Sequence, residues 1–281
     1  MMSKLGAWGR RLFLLVWVVF ALLPAYWALS TSFKRQVDIY NGPKMIPFVD
    51  FTPTLDAWQR LWVASQSDFL PKLLNSFVFS AVSSLIAVVL GAFAAYGLAR
   101  FEYRYGAYRN DDISFLIVSQ RIMPPIVSVL ALYVVYVQLR ALDTAWGMIL
   151  AFTSMNLPIA VYLLRSFFAA IPEELEQAAA LDGYPAVLRL VRVVFPLAAP
   201  GLASAFMLSF FFAWNDFLFA LMLTFNKAQT LPLYISSLSA QSQPEWALIA
   251  AVGMIALIPP VVVTLVLDRY MSKQVLVGGV R

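Results

Sequence analysis

The sequence predicts an all-α, polytopic membrane protein, and three observations support this prediction. Hydrophobic residues make up 62% of its 281 positions and charged residues only 12%, whereas about a quarter of an ordinary soluble domain is charged. The apolar residues fall into runs with almost no charge, and each run is close to the roughly 20 residues that a helix needs to cross a bilayer. The aromatic content is 15% and the mean hydropathy is +0.78. This composition excludes a soluble globular domain and a disordered chain.

The apolar runs predict six transmembrane helices in one transmembrane domain, residues 1–281. Arg121 interrupts the third run and Asp216 the fifth. Because the first run exceeds the core of a signal peptide, which is about 7–15 residues, we interpret it as a retained helix. The predicted spans are residues 12–33, 73–99, 113–139, 144–164, 201–224 and 246–267.

Lys and Arg residues predict the orientation, because cytoplasmic loops are enriched in both. With the two termini inside, cytoplasmic segments hold 12 of the 20 basic residues and external segments hold 7. This places the loop of residues 34–72 outside, with a short helix near Leu55–Ala64, and the loop of residues 165–200 in the cytoplasm. The net charge of +5 is explained by the basic residues in the cytoplasmic loops of a protein that lies in a lipid bilayer. No nucleic-acid partner is expected.

The residue types that are missing narrow the possible chemistry. The sequence has no cysteine and no histidine, which excludes disulfides, Ser-His-Asp hydrolases, histidine-ligated haem and most zinc sites. Carboxylate, Lys, Tyr or Ser-Lys catalysis stays formally open, but no carboxylate pair is evident, so a membrane enzyme is the weakest alternative. A G-x-x-x-x-G-K-[ST] phosphate loop is also missing, so this chain cannot bind ATP in that manner. Any energy-driven process in which it takes part must draw its energy from another polypeptide or from an ion gradient. We expect this chain to bind no metal and no cofactor.

The cytoplasmic loop predicts a helix–turn–helix at the membrane surface. Pro172 suits the first turn of a helix, and the acidic residues that follow it are favoured there by the helix dipole. Three alanines then promote the helix, Gly183 ends it, and Pro185 begins a second short helix. The small side chains of the first helix allow another protein to approach closely. An amphipathic interfacial hairpin without a partner is the alternative.

The same loop resembles the EAA loop of ABC importer permeases. The segment Gln177–Gly183 is followed by nine residues and then by Val193–Pro196, which fits the pattern E-A-A, three residues, G, nine residues, I-x-L-P without a gap. Gln177 stands where that family usually has Glu. Glu174 or Glu176 can supply the carboxylate for a salt bridge that the usual Glu would form. The resemblance implies that an ATP-binding subunit docks on Glu174, Glu176, Gln177, Ala178, Ala179, Asp182 and Gly183.

Other motifs extend the resemblance to nearly the whole chain. They are Arg121–Pro125, Asn156–Pro158, Ala213–Phe217 and the ending Leu276–Val280, which together resemble the MalG-like member of the carbohydrate-uptake branch. The resemblance implies a heterodimer with a second homologous permease, two cytoplasmic ATP-binding subunits that hold ATP and Mg, and an extracytoplasmic solute-binding protein. Gly278 and Gly279 permit close backbone approach, so we expect the tail to contact the ATPase pair. A frayed terminus is the alternative.

Polar residues inside apolar spans are costly and usually face a cavity or a partner. We predict that Arg121, Asn156, Asn215 and Asp216 line the solute path. Pairing with other polar groups or a gating role is the alternative for Arg121 and Asp216, and a helix kink satisfied by a neighbour is the alternative for Asn156.

Aromatic residues in the fifth run are further candidates, because sugars stack on aromatic faces. We include Trp214 in the predicted path, with Phe211 and Phe212 as further pocket candidates. Helix packing or contact with lipid is the commoner role of such residues.

The resemblance therefore implies the transmembrane subunit of an ATP-driven, binding-protein-dependent importer of a sugar or related polyhydroxy solute. Such a subunit is not itself an enzyme and lies in the inner membrane, here with both termini cytoplasmic. An ion-coupled secondary transporter that uses Asp216 and Arg121 is the alternative, but it gives the EAA-like loop no purpose and usually has more spans or a duplicated half. We expect a neutral hydroxylated solute, because Arg121 alone supplies too few cations for an ionic cargo.

Overall fold

The computed structural model describes residues 2–63 and 66–271, and its regular secondary structure is helical. In this part of the chain there is no β-strand, and two isolated β-bridges join Pro47 to Phe51 and Tyr105 to Tyr108. One π-helical turn comprises Leu190–Val194. The α-helices are α1 (Met2–Ser32), α2 (Gln36–Tyr40), α3 (Asp56–Val63), α4 (Gln66–Arg100), α5 (Asn110–Ser119), α6 (Pro125–Leu139), α7 (Ala145–Ala169), α8 (Glu173–Leu181), α9 (Ala186–Arg189), α10 (Phe195–Leu197), α11 (Ala199–Trp214), α12 (Leu218–Leu223), α13 (Leu231–Ser239) and α14 (Trp246–Met271).

Four helices are long and apolar enough to cross a membrane, and they overlap the first, second, fourth and sixth predicted spans. Their apolar parts are Trp8–Ser32, Asp68–Arg100, Ala145–Ala169 and Trp246–Met271. The window of α1 has no residue buried within the chain, so this helix presents apolar side chains all round. A helix of this kind is suited to lipid or to a partner helix.

The third predicted span differs from the structure, because residues 113–139 are not one helix. Helix α5 ends at Ser119 and α6 begins at Pro125. Two adjacent prolines explain the break: Pro125 lacks the N–H that would continue the helix and disfavours a helical conformation at Pro124. Helix α6 has 15 residues, which is short for a complete span.

The fifth predicted span, residues 201–224, is also divided. Helix α11 ends at Trp214, and α12 begins only at Leu218. Residues Ala186–Leu197 and Ala199–Trp214 are long enough together to cross a membrane but are bent by 75°. The described residues therefore contain four candidate spans, or five if the bent pair is one, and the count of six stays a prediction.

The chain forms two compact units. One comprises residues Met1–Pro71 and Tyr234–Ile258, and the other comprises Lys72–Leu233 and Pro259–Arg281. In the first unit, α3 occupies the position of the short helix expected near Leu55–Ala64. Its Ala57 and Leu61 are buried, and Trp58 packs on Phe33 with 5.9 Å between ring centres.

The core of the second unit has two apolar clusters with a polar layer between them along α4, α7 and α11. One cluster contains Phe79, Phe152 and Ala213, and the other contains Val88 and Ala205 among its members. Buried hydroxyl and amide groups lie between these positions on each helix, where they can bond across helices. The members of the polar layer are Ser80, Ser83, Ser84, Thr153, Asn156 and Ser209.

Candidate functional site

The second unit contains a cavity of about 890 Å³ at the places where helices break or end. A volume of this size is typical of a small-molecule site. Its wall includes the break between α5 and α6, the middle of α7, the end of α11 and the break before α12. The lining residues are Gln120, Arg121, Met123, Pro125, Ser128, Leu132, Ser154, Met155, Pro158, Phe211, Phe212, Asn215, Asp216, Phe217, Leu218 and Phe219.

Prolines explain why polar groups reach this cavity. Pro158 lies inside α7 and has no N–H to give to the carbonyl of Ser154 one turn earlier. The Ser154 hydroxyl donates to the Ala151 carbonyl at 2.8 Å, and Ser154 and Pro158 share one face of α7 at a spacing of four residues. Within a membrane, a carbonyl that loses its helical partner to a proline must find another partner or face a cavity.

Arg121 is held at the cavity wall by two contacts. Its Nη1 donates a hydrogen bond to the Met155 carbonyl at 3.1 Å, and its guanidinium carbon lies 4.4 Å from the centre of the Phe212 ring. Among the described residues, no carboxylate lies within ion-pair distance. A guanidinium has five N–H donors, so other donors of Arg121 remain for a solute.

Asp216 stabilises the start of α12. Its Oδ1 accepts hydrogen bonds from the backbone N–H groups of Phe219 at 3.0 Å and Ala220 at 3.4 Å. A carboxylate at this position satisfies N–H groups that have no partner within the helix. The same side chain lies in the cavity wall, where it and Arg121 are of opposite charge and interact electrostatically.

Asn215 ends α11 and lies beside Asp216 in the cavity wall. Its Nδ2 donates to the Phe211 carbonyl at 2.9 Å, which leaves its Oδ1 as an acceptor. Phe211, Phe212 and Asn215 share one face of α11, because neighbours on a helix face are three or four residues apart. The cavity thus brings together three of the predicted path residues and both phenylalanine candidates.

Trp214 and Asn156 differ from the prediction, because neither is in the wall of this cavity. Trp214 is only 4% exposed and stacks on Phe210 at 5.8 Å, one helical turn away, on another face of α11 from Asn215. Asn156 is fully buried in the polar layer, where its Nδ2 donates to the Ser209 carbonyl at 3.1 Å. This hydrogen bond joins α7 to α11. It agrees with the alternative that Asn156 lies at a helix kink whose polar groups bond to a neighbouring helix.

Three polar residues of the wall were not among the predicted path residues. Gln120, Ser128 and Ser154 line the cavity as well. The position of Ser154, four residues before Pro158, was a signal in the sequence. Gln120 and Ser128 flank the Pro124–Pro125 break, and they would have been indicated had that break been expected.

The cytoplasmic loop forms the expected helix, but Glu176 faces inward. Its Oε1 accepts from Nε of Arg100 at 2.6 Å, and its Oε2 accepts from the Tyr96 hydroxyl at 2.6 Å. Arg100 also donates to the Ile171 carbonyl at 2.8 Å. Glu176 therefore attaches α8 to the end of α4, and this correction removes it from the surface predicted to contact the ATPase.

The exposed face of α8 is formed by other residues of the predicted set. Glu174, Gln177 and Ala178 are exposed, and Leu181 on the same stripe is 90% exposed. Ala179 is only 8% exposed, and its predicted contact with an ATP-binding subunit stays a prediction. One exposed Leu is common on protein surfaces and is not evidence of a binding site by itself. Leu181, however, extends the exposed face of α8 that Glu174, Gln177 and Ala178 form.

Gly183 follows the end of α8, as expected, and has a positive φ of +84°, which suits a glycine. Its N–H donates to the Ala180 carbonyl at 3.0 Å, and the Tyr184 N–H donates to the Ala179 carbonyl at 3.1 Å. These bonds satisfy carbonyls at the end of α8. Asp182, just before it, is exposed. The predicted tail contacts at Gly278 and Gly279 lie outside the described residues.

Comparison with known proteins identifies the family. Residues 87–277 match the family described as "Binding-protein-dependent transport system inner membrane component". The trehalose transport system permease protein SugB of Mycobacterium tuberculosis is 37% identical over 94% of both chains. The sulfoquinovosyl glycerol transport system permease protein SmoH of Agrobacterium fabrum is 31% identical over 94% of this chain and 90% of its own.

Solved structures support the same fold. A chain from the crystal structure of a bacterial ABC transporter involved in the import of the acidic polysaccharide alginate superimposes with a TM-score of 0.72. It covers 96% of this chain and 98% of its own, at 20% identity. The expected resemblance to ABC importer permeases of the MalG-like type is confirmed. This multi-pass protein of the inner membrane belongs to the family of binding-protein-dependent transport system inner membrane components.

Proposed function

We propose that this chain forms half of the membrane pathway of an ATP-driven importer for a sugar or a related polyhydroxy solute. The observation that carries the proposal is the cavity of about 890 Å³ beside Arg121, Asn215 and Asp216, in a chain of the importer family. The relatives named for trehalose and for sulfoquinovosyl glycerol support a hydroxylated cargo.

The chemistry of the cavity wall suits such a cargo. Asn215, Asp216 and the oxygen of the Ser154 hydroxyl offer acceptors, and Arg121 and Ser128 offer donors, which is what a hydroxyl needs on its two sides. Phe212 and the neighbouring phenylalanines provide apolar faces for the C–H side of a sugar ring. Arg121 already contacts Phe212 and the Met155 carbonyl, so we assign it a supporting or gating role and expect a neutral solute.

Energy enters through the exposed face of α8 in this proposal. The surface of Glu174, Gln177 and Ala178 is available to an ATP-binding subunit, and α8 is attached to α4 by the contacts of Glu176. A displacement of α8 is therefore passed to a helix of the second unit. ATP and Mg bind to two separate subunits, so this chain carries out no catalysis itself.

The remaining partners are a second homologous permease and an extracytoplasmic solute-binding protein. The apolar window of α1, in which no residue is buried within the chain, supports a helical partner or lipid around it. The proposed topology places both termini, the loop of residues 165–200 and the tail with Gly278 and Gly279 in the cytoplasm. In that topology the loop of residues 34–72 is external.

The solute class is tested by uptake into proteoliposomes that contain the assembled complex and its cognate binding protein. A panel of labelled disaccharides, sugar alcohols, amino acids and inorganic ions is offered under identical conditions. We expect uptake of one hydroxylated compound only. Uptake of an amino acid or an ion in preference to every sugar would contradict the proposed solute class.

Ion-coupled transport is not favoured, because the family itself is defined by transport that depends on a binding protein. The relatives over most of the chain are permease proteins of such systems. Asp216, which an ion-coupled mechanism would use, has one oxygen engaged in holding α12.

A further inference from the structure

The first unit contains a cavity of its own, of about 310 Å³, which the proposed function does not use. The end of α1, helix α2 and the first residue of α14 form its wall. The residues that matter for its chemistry are Trp27, Thr31, Lys34, Tyr40 and Trp246. Its size suits one small polar group or one ring.

Lys34 is a buried cation in this wall without an anionic partner. The residue is 4% exposed, and its Nζ lies 4.2 Å from the centre of the Trp27 ring. In the described ranges, no carboxylate pairs with it. The two carboxylates that influence it are engaged elsewhere, because Asp38 pairs with Lys44, and Asp50 accepts from two backbone N–H groups at 2.8 Å.

Thr31 supplies a second unsatisfied group on the same wall. It is 8% exposed, and within the described part of the chain its Oγ1 has no hydrogen-bond partner. An ammonium has three N–H donors, and burying donors without acceptors is costly. Burial lowers the pKa of Lys34, while Asp50 and Asp38 act to raise it, and among the described residues neither carboxylate forms an ion pair with the ammonium.

Aromatic residues complete the cavity, and hydrogen bonds hold its shape. Trp27 and Trp246 are 38% and 41% exposed. They lie near the end of the candidate span of α1 and at the start of the candidate span of α14, where tryptophans meet lipid headgroups. Gln36 in α2 donates to the Pro244 carbonyl at 2.6 Å, so α2 is joined to the residues just before α14.

We propose that this cavity binds the phosphate of a glycerophosphate group, with the Lys34 ammonium and the Thr31 hydroxyl as donors and the two indole rings as walls. A phosphate carries several acceptor oxygens and at least one negative charge, which matches the groups left unsatisfied here. A neutral sugar would leave Lys34 without an ion pair, in contact only with the rings of Trp27 and Phe51. A phospholipid headgroup and a soluble glycerol phosphate share this chemistry.

Binding is measured on the delipidated, assembled transporter in detergent, by tryptophan fluorescence and by the thermal shift. One arm titrates short-chain phosphatidylglycerol against a diacylglycerol without phosphate. The other arm titrates sn-glycerol 3-phosphate against glycerol. We expect saturable binding of a phosphate probe and none of its phosphate-free match. Binding in the first arm alone assigns the site to lipid, and binding in the second assigns it to a solute.

The variants separate the site from general charge effects. Lys34→Gln is expected to weaken the binding of the phosphate probe about tenfold or more, since a hydrogen bond to a charged group is lost. Arg35→Gln removes one positive charge from the exposed residue next to Lys34, outside the cavity wall, and is expected to change affinity less than about twofold. Thr31→Val keeps the shape and removes the hydroxyl, and it should weaken binding about threefold or more.

The proposal is overturned if neither phosphate probe binds, or if Lys34→Gln binds as tightly as the unaltered protein. If Lys34→Gln does not assemble, unchanged affinity in Thr31→Val overturns it instead. Neither readout depends on transport, so the proposal can fail while the importer function stands.

Discussion

Arg121 and Asp216 carry opposite charges in the wall of one cavity, yet each is held by a group other than its counterpart. Arg121 is bonded to the Met155 carbonyl and lies over Phe212, whereas Asp216 caps α12. Within the described residues they form no ion pair. In the proposed function, a solute hydroxyl can therefore approach either group without first breaking a salt bridge.

Substitutions at Asp216 separate its two roles. Asp216→Asn keeps an acceptor for the N–H groups of Phe219 and Ala220 but removes the charge, so α12 should form and transport should slow. Asp216→Ala also removes the cap, which costs about 1 kcal/mol, so the midpoint of thermal unfolding should fall as well. Uptake and unfolding of the assembled complex are measured together. Unchanged apparent affinity and rate in both variants would show that Asp216 is not in the path.

Glu176→Gln is expected to loosen α8. The change leaves Arg100 buried without its carboxylate at 2.6 Å, and breaking a buried pair costs about 3 kcal/mol. Hydrogen exchange of the α8 amides should become about a hundredfold faster. Glu174→Gln, on the exposed face, is the matched control, with an effect within about 0.5 kcal/mol. Equal protection of α8 in the two variants would contradict the inward role of Glu176.

Gly183→Val is expected to uncouple ATP hydrolysis from uptake while the chain still inserts. A side chain at the observed φ of +84° costs about 1–2 kcal/mol, more for a β-branched residue, and the turn after α8 should shift. Gly183→Asn is the control, because Asn tolerates this conformation better. The ratio of solute imported to ATP hydrolysed is the measurement. A normal ratio in Gly183→Val argues against a coupling role for this turn.

Asp143 is expected to make the loop after α12 sensitive to acid. Burial acts to raise its pKa, but hydrogen bonds from the backbone N–H groups of Phe225 to Ala228, at 2.9 to 3.1 Å, outweigh this and lower it. A lowered pKa stabilises the folded state above the unfolded value of about 3.9, and this stability is lost as the pH falls through the folded pKa. The unfolding midpoint of Asp143→Asn should lie below that of the unaltered protein at pH 7 and approach it below about pH 4. A constant difference across this range would contradict the assignment.

The sequence predicted the helices that consist of one uninterrupted apolar run. Helices α4, α7 and α14 coincide with such runs because length and hydropathy alone define a span. Hydropathy did not predict the breaks that divide the third and fifth apolar runs, because a break depends on the local backbone and not on how apolar the residues are. The Pro124–Pro125 pair is part of the Arg121–Pro125 motif, and it interrupts a run that hydropathy alone presents as one helix.

Residue type alone indicated which polar residues would face a cavity, and their role in a solute path stays a prediction. Arg121, Asn215 and Asp216 are polar groups in apolar runs, and all three line the cavity. The direction in which Trp214 and Glu176 point depends on helix phase and on distant partners such as Phe210 and Arg100, which no local pattern reveals. The inward position of Glu176 could have been suspected only by pairing it with Arg100, 76 residues earlier.

Uptake by the reconstituted system tests the central claim most directly. The chain, a second permease, two ATP-binding subunits and the binding protein are assembled in proteoliposomes, and labelled solute inside the vesicles is measured. Uptake should require ATP on the side of the membrane on which α8 lies. It should cease when either the binding protein or the ATPase subunits are omitted. Accumulation by the chain alone, driven by an ion gradient and without ATP, would contradict the account.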